Sequence, residues 1–391
     1  MPPPIFNCDH MAGHYYNIDE DQQISDMIRE QTRKWASDCS DEIQVNDQLS
    51  DYRKRLTKKI IFIVVCTLIM FVCIGVTITI GAYDIGFFET YEIIWNHITG
   101  QISDVTKDYV VVTLRMPSVL TALIAGAGLS ICGVAMQSTL KNPLADPYTT
   151  GVSSGAGFGA SLALALNYTI VQGEYNLVVN AFIFALIPTA AIIAVSKMKS
   201  ASPTIMIMAG IAIMYLFNAC TTMIKFWADD ETLSSIYRWQ VGTCSATNWD
   251  EIVVMAAVVF IGIVVIWGLS KKINLLATGD ENARAMGVDA EQLRIICLIV
   301  VALVSASIVS FTGLIGFVGL VAPHIVRIFI GADNRYLVPA SAAFGAALLI
   351  FAYALSIWMI EPITLQVGVL TSFLGAPLFL WLIVRSKENV W

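Results

Sequence analysis

Few residues in this chain have the types and spacing for covalent or metal chemistry. Cys8, His10, His14 and Cys39 are the one group with zinc-type ligands, and their spacing fits no zinc pattern. There is no GxxxxGK[ST] phosphate loop, no zinc-binding helix motif and no nucleophile elbow in a strand–turn–helix setting. The chain therefore does not hydrolyse ATP itself, and no catalytic, metal-binding or cofactor-binding residue is assigned. The remaining polar candidates, Gln137, Asn218, His324, Glu361 and Gln366, lie in or beside apolar runs. An ionisable group at the middle of such a run would mark an ion or proton pathway, and secondary transporters typically need one. Here Glu361 falls at a run's end, where water solvates it. His324 follows Pro323 near a helix start and reads as a structural hydrogen-bonding residue. Ion coupling is disfavoured.

The elements that must position these residues are membrane helices. The 391 residues are 57% hydrophobic and 14% charged, with a mean hydropathy of +0.70. A soluble domain is nearer half apolar and a quarter charged. Several apolar runs exceed the ~20 residues that cross a bilayer. Five of the eight cysteines lie in such runs, where cysteine is a small hydrophobe, so no disulfide framework is expected. The net charge of −7 says little about partners, because many of the acids sit in the first 56 residues. Residues 1–56 read as a polar, acidic extension, expected to be flexible. Ile24, Met27, Ile28 and Trp35 have helical spacing that also suits a short amphipathic helix. Residues 57–391 read as the transmembrane domain.

Spans are expected at about 60–82, 109–140, 152–167, 177–196, 204–226, 250–269, 293–312, 319–331, 337–360 and 366–384. Ten spans place both termini in the cytoplasm of a multi-pass plasma-membrane protein. Arg53, Lys54, Arg55, Lys58 and Lys59 precede the first span, and every loop assigned inside is basic, as the positive-inside rule requires. The span 319–331 is short, holds Pro323 and His324, and is flanked by Gly313, Gly316, Gly319 and Gly331. Irregular backbone at that depth survives only inside protein or beside water. Residues 313–324 are therefore expected in the interior.

Small residues recur at helical spacing: Ala122, Gly126 and Ser130, then Gly155 and Gly159. They suit close helix packing, and equally a smooth wall along a path. The loop 271–294, KKINLLATGDENARAMGVDAEQLR, reads as two short helices broken at Gly287–Asp289. Its apolar Ala283, Met286 and Val288 suggest a docking surface or a rest on lipid headgroups.

These residues carry a resemblance. The chain resembles the FecCD-type permease subunits of ABC importers for iron-siderophores, haem and cobalamin. The motifs are RMP at 115–117, NPLADP at 142–147, GVSSGAGFGA at 151–160 and RWQVGT at 238–243. Then follow GDENARAMGV at 279–288, GLIGFVGLVAPHIVR at 313–327, GADNR at 331–335 and LGAPLF at 374–379. The resemblance implies an all-α, type II importer permease of ten spans that pairs as a two-fold homodimer. It implies two separate ATPase subunits carrying ATP and magnesium, an extracytoplasmic solute-binding protein, and no nucleic acid. The coupling loop would use Gly279, Asp280, Glu281, Ala283, Arg284, Met286, Gly287 and Val288. Arg115 would meet the binding protein, with Arg238 as a second contact, because Ser118 and Ile357 stand where relatives carry arginines. Asn142, Leu144, Asp146 and Thr204 would lie at the inner gate, with Gly155 and Gly159 on the path. Gly316, Gly319, Pro323 and His324 would be structural. The cargo expected is an iron chelate, a siderophore complex or haem, with cobalamin next and molybdate after it. A secondary transporter, or a membrane scaffold working through its N-terminal tail, are the competing classes.

Overall fold

The computed structural model describes residues 22–23, 25–32, 41–199, 202–245, 247–360 and 364–385. The chain divides into two units, Met1–Lys58 and Lys59–Trp391. In the first, residues 25–32 are helical, with Met27 and Ile28 exposed. Ile24, Trp35, the Cys8, His10, His14 and Cys39 group, and Glu361 lie outside the described residues.

All regular structure among the described residues is helical. In chain order the helices are α1 (Asp41–Thr79), α2 (Phe87–Thr99), α3 (Val105–Thr139), α4 (Val152–Leu166), α5 (Asn176–Lys199) and α6 (Pro203–Trp227). They continue as α7 (Asp230–Val241), α8 (Trp249–Ala277), α9 (Asp280–Ala285), α10 (Ala290–Thr312), α11 (Val318–Ile330), α12 (Asn334–Trp358) and α13 (Val367–Arg385). Seven are long and apolar enough to cross a membrane, and three more (in α4, α11 and α13) are apolar but shorter. Together they fall where the ten spans are expected. The apolar pattern did not disclose α2 and α7, which lie outside the spans. It also stopped α8 two turns early, at 269 instead of Ala277.

Capping residues set the boundaries. Ser202 precedes α6 with Pro203 in its first turn. Asn248 opens α8, and its backbone N–H donates to Glu251 at 2.9 Å. Asp289 caps α10 by accepting from the N–H groups of Glu291 and Gln292. Helix α3 contains a π-helical turn, Tyr109–Arg115, before Met116.

Helix α3 is the centre. It packs against α8, α10, α11 and α12. Two of these contacts are backbone against backbone. A Cβ on Gly126 would lie 2.4 Å from the Gly345 carbonyl oxygen, and one on Gly133 would lie 1.6 Å from that of Gly319. Pro323 has no N–H to offer Gly319 one helical turn earlier, so that carbonyl is free to press on Gly133. A second layer joins Ala156 and Ala160 of α4 to Ala181 and Ala185 of α5 and to Ala302 and Ala306 of α10. The faces turned outward, such as Leu68 on α1 and Phe260 on α8, are large and apolar, as suits a surface solvated by lipid tails.

Gly133→Ala is expected to lower the thermal midpoint of the detergent-purified protein, because overpacking costs ~1–3 kcal/mol. Gly268→Ala, in the exposed face of α8 with nothing within 4 Å, is expected to leave the midpoint unchanged or raise it. Equal midpoints for the two variants would contradict this packing.

Candidate functional site

One end of the bundle gathers the turn 140–151, the start of α6 and the loop around α9. The turn is built locally. Lys141 adopts φ +50° after α3, and the Asn142 N–H donates to the Gln137 carbonyl at 3.2 Å. The Asn142 side chain then accepts from the Leu144 N–H at 2.9 Å. Asp146 accepts from the Thr149 N–H at 2.8 Å and so caps the 3₁₀ turn Pro147–Thr150. Gly151, at φ +83°, delivers the chain into α4. Leu144 is half exposed, and Thr204 is exposed in the first turn of α6. The turn packs on α6 at Gly210, whose Cβ would lie 2.7 Å from the Thr149 carbonyl oxygen. Gly210 is six residues past Thr204, ~9 Å along the helix. Burial pushes the Asp146 carboxyl up to about 6.

The loop expected to be two short helices is one, α9, followed by a break at Met286–Asp289; the second is the start of α10. Gly279 and Gly287 bracket α9 at φ +117° and +81°. The apolar residues divide. Ala283 and Val288 are buried, whereas Met286 is exposed, as are Glu281 and Arg284. Asp280 turns back toward the bundle and pairs with Arg294 and Lys141.

At the opposite end of α3, Arg115 donates to the carbonyls of Ile78 and Tyr83, the latter at 2.9 Å, and so fastens the turn between α1 and α2. Arg238 lies exposed in the last turn of α7. Gly155 and Gly159, expected on the path, face α5 instead. Their Cβ positions would lie 2.4 Å from the Phe184 and 2.6 Å from the Asn180 carbonyl oxygens. Close helix packing therefore accounts for them.

The segment 313–317 is irregular and sits in the interior. Gly313, Gly242 and Gly368 let three strands of backbone meet. Cβ atoms there would fall 2.2 Å from the Trp239, 2.3 Å from the Leu314 and 1.6 Å from the Val241 carbonyl oxygens. The Tyr148 hydroxyl donates to the Ile315 carbonyl at 2.8 Å and accepts from its N–H at 3.1 Å. One side chain thus satisfies both polar groups of a residue that no helix or strand serves. Gly316 borders a cavity of about 330 Å³ with Ser153, Gln240 and Ser372. His324 is buried and meets Phe379 edge-on at 6.1 Å. Arg327 donates to Gln137 at 3.0 Å, and Gln137 donates to the Leu320 carbonyl at 3.1 Å.

A family model described as the FecCD transport family matches residues 67–385. The chain belongs to the FecCD transport family. It is an ABC transporter permease and a multi-pass membrane protein. A Yersinia pestis relative described as a hemin transport system permease is 32% identical over 317 residues, 80% of this chain and 94% of that protein. A Halobacterium salinarum cobalamin import system permease is 35% identical over 285 residues, 72% of this chain and 75% of its own length. A solved transporter assigned to the metal-chelate ABC type, in an inward-facing conformation, matches at a TM-score of 0.74. It is 27% identical and covers 83% of this chain and 99% of its own. Within this FecCD chain, Tyr148, Lys141 and Arg294 were missed as site residues, and Asp280 was expected in the coupling loop without its ion pairs to them. Tyr148 follows the NPLADP motif directly, which is the one signal that pointed to it. Arg294 stood out only as a loop charge.

Two outcomes follow from this geometry. Tyr148→Phe is expected to cost about 1–3 kcal/mol through the stranded polar groups of Ile315, read as a lower thermal midpoint and faster proteolysis near 313–317. For Asp146 the folded state favours the protonated form. Its contribution is present below the ordinary carboxylate range and lost as pH rises through about 6. Asp146→Asn keeps a capping side chain, and is expected to match the parent at pH 5 and to melt a few degrees higher at pH 7.5.

Proposed function

We propose that this permease is the membrane subunit of a binding-protein-dependent importer that moves an iron chelate, a siderophore complex or haem, across the cytoplasmic membrane. In this reading two copies pair as a homodimer around the path, and both termini face the cytoplasm. Two separate ATPase subunits supply the energy, with ATP and magnesium bound on them, and a solute-binding protein delivers cargo at the Arg238 end.

The observation that carries the reading is α9. It is a six-residue helix that, with the break after it, presents Glu281, Arg284 and Met286 outward while Ala283 and Val288 are buried as anchors. Such an element suits docking into a groove of a moving partner. Its Asp280 also pairs with Lys141, the residue before the 142–147 turn, so a partner's motion has a short route to a gate. No carboxylate lies at the middle of a described span, and the buried Arg327 is hydrogen-bonded to Gln137. Both features support an external energy source over ion coupling. The hemin permease of Yersinia supports haem as cargo, and the halobacterial cobalamin permease supports cobalamin as the second reading.

The test is uptake by proteoliposomes holding the permease with its ATPase, using a ferric hydroxamate, haemin and cyanocobalamin, each with its binding protein. ATP-dependent accumulation of an iron-loaded probe is expected. Accumulation that needs no ATPase, or that follows a proton or sodium gradient, would overturn the reading.

A further inference from the structure

We infer that Asp280 is the positioning residue that ties the α9 segment to the end of α3, through a three-way ion pair with Arg294 and Lys141, so that movement of α9 reaches the 142–147 turn. The inference rests on the importer reading above.

The geometry is specific. Arg294, at the start of the second turn of α10, is only 3% exposed. Its Nη2 reaches both Asp280 carboxylate oxygens, at 2.7 and 2.9 Å. Its Nε donates to the carbonyl of Thr139, the last residue of α3, at 3.2 Å. That carbonyl is one of the groups that a helix end leaves unsatisfied. One rigid guanidinium thus grips the start of α9 and the end of α3 together. Lys141 closes the group from the other side, its Nζ 3.1 Å from Asp280 Oδ1. The hydrogen bond from Arg294 holds the Asp280 carboxyl below the usual carboxylate range.

Two backbone observations, independent of the ion pair, point the same way. Lys141 occupies a left-handed position, φ +50°, at the helix end, where glycine is the ordinary residue and a side chain is strained. What a lysine gains there over a glycine is its reach to Asp280. Helix α9 is also bracketed by Gly279 and Gly287, both at positive φ, and such glycines give it pivots at each end. Without Asp280, α9 loses its tie to Lys141 and Arg294, and a push on Met286 can turn it about the buried Ala283 and Val288 without moving α3. With Asp280 in place, the same push is delivered at Thr139 and Lys141, next to Asn142.

The test uses the full permease assembled with its ATPase in lipid nanodiscs. Deuterium uptake is compared with ATP–vanadate and without nucleotide, at segment 279–289 and at segment 140–150. In the parent both segments are expected to respond. In Asp280→Asn and Lys141→Gly the response of 279–289 should persist, while that of 140–150 falls by about fivefold, the size of a coupling of ~1 kcal/mol. Lys141→Arg should restore it. Lys141→Gly guards against misfolding, because glycine suits this φ and its thermal midpoint should stay within a few degrees of the parent's. An unchanged 140–150 response in Lys141→Gly, or a loss that Lys141→Arg fails to restore, overturns the inference and leaves the importer reading standing. If segment 279–289 of the parent ignores the ATPase and its nucleotide, the importer reading falls and this inference falls with it.

Discussion

Helix α3 can sit at the centre of this bundle only because its backbone touches two neighbours directly. Lipid tails are as apolar as leucine, so no hydrophobic force draws helices together once they are in a membrane. Attraction has to come from dispersion at close range, and that needs small residues on both sides. Gly126 against Gly345 and Gly133 against Gly319 supply it, one pair toward α12 and one toward α11. The second pair also depends on Pro323, whose missing N–H leaves the Gly319 carbonyl to be met by Gly133 rather than by its own helix. The remaining helices are arranged around that arrangement: α8 and α10 fill the other sides, and α4 and α5 stack on α10.

A helix held this tightly does not bend easily, so its ends matter. At one end Arg115 fastens the α1–α2 turn. At the other, Arg294 holds the Thr139 carbonyl and Asp280. Packed interfaces of this kind move as bodies and change by discrete repacking rather than by continuous deformation. In such a frame the segments free to change are the short turns with unusual backbone: 140–151, 278–289 and 313–317. Each contains residues in the left-handed region, including Lys141 and Phe317, which have side chains. These turns are short, yet their polar groups are largely satisfied within the fold, which suits elements that alternate between two defined states.

The sequence discloses the spans because the bilayer imposes length and composition on each helix separately, so a local pattern suffices. That is why even the short α11 was placed within a residue. It does not disclose α2 and α7, which are amphipathic helices outside the spans and lack the long apolar run that reveals the others. Nor does it show which small residues face a path and which face a helix. Gly155 and Gly159 have the same spacing in either case, and only the position of the Phe184 and Asn180 carbonyls decides. The loop 271–294 was legible as an element but not in its orientation. Ala283, Met286 and Val288 are alike in type, and whether each points in or out depends on the pivot angles at Gly279 and Gly287.

The least legible contact is the one at Tyr148, and the reason is general. A tyrosine just after NPLADP looks like one more aromatic near a membrane surface. Its role exists because Ile315, 167 residues away, lies in backbone without a helix to serve it. Residues 313–317 cannot be straightened into α11 while the backbones of 241–243 and 367–368 occupy the adjoining space. The three-way glycine meeting point therefore creates the irregular segment, and the irregular segment creates the demand for a hydroxyl that both donates and accepts. Tyr148 belongs to the turn that follows the end of α3, so the hydrogen bonds that stabilise 313–317 also fix that turn against it. Any rearrangement of residues 142–147 must therefore keep Tyr148 on Ile315 or expose two unsatisfied polar groups at depth. That constraint favours movement of the turn and the 313–317 segment together.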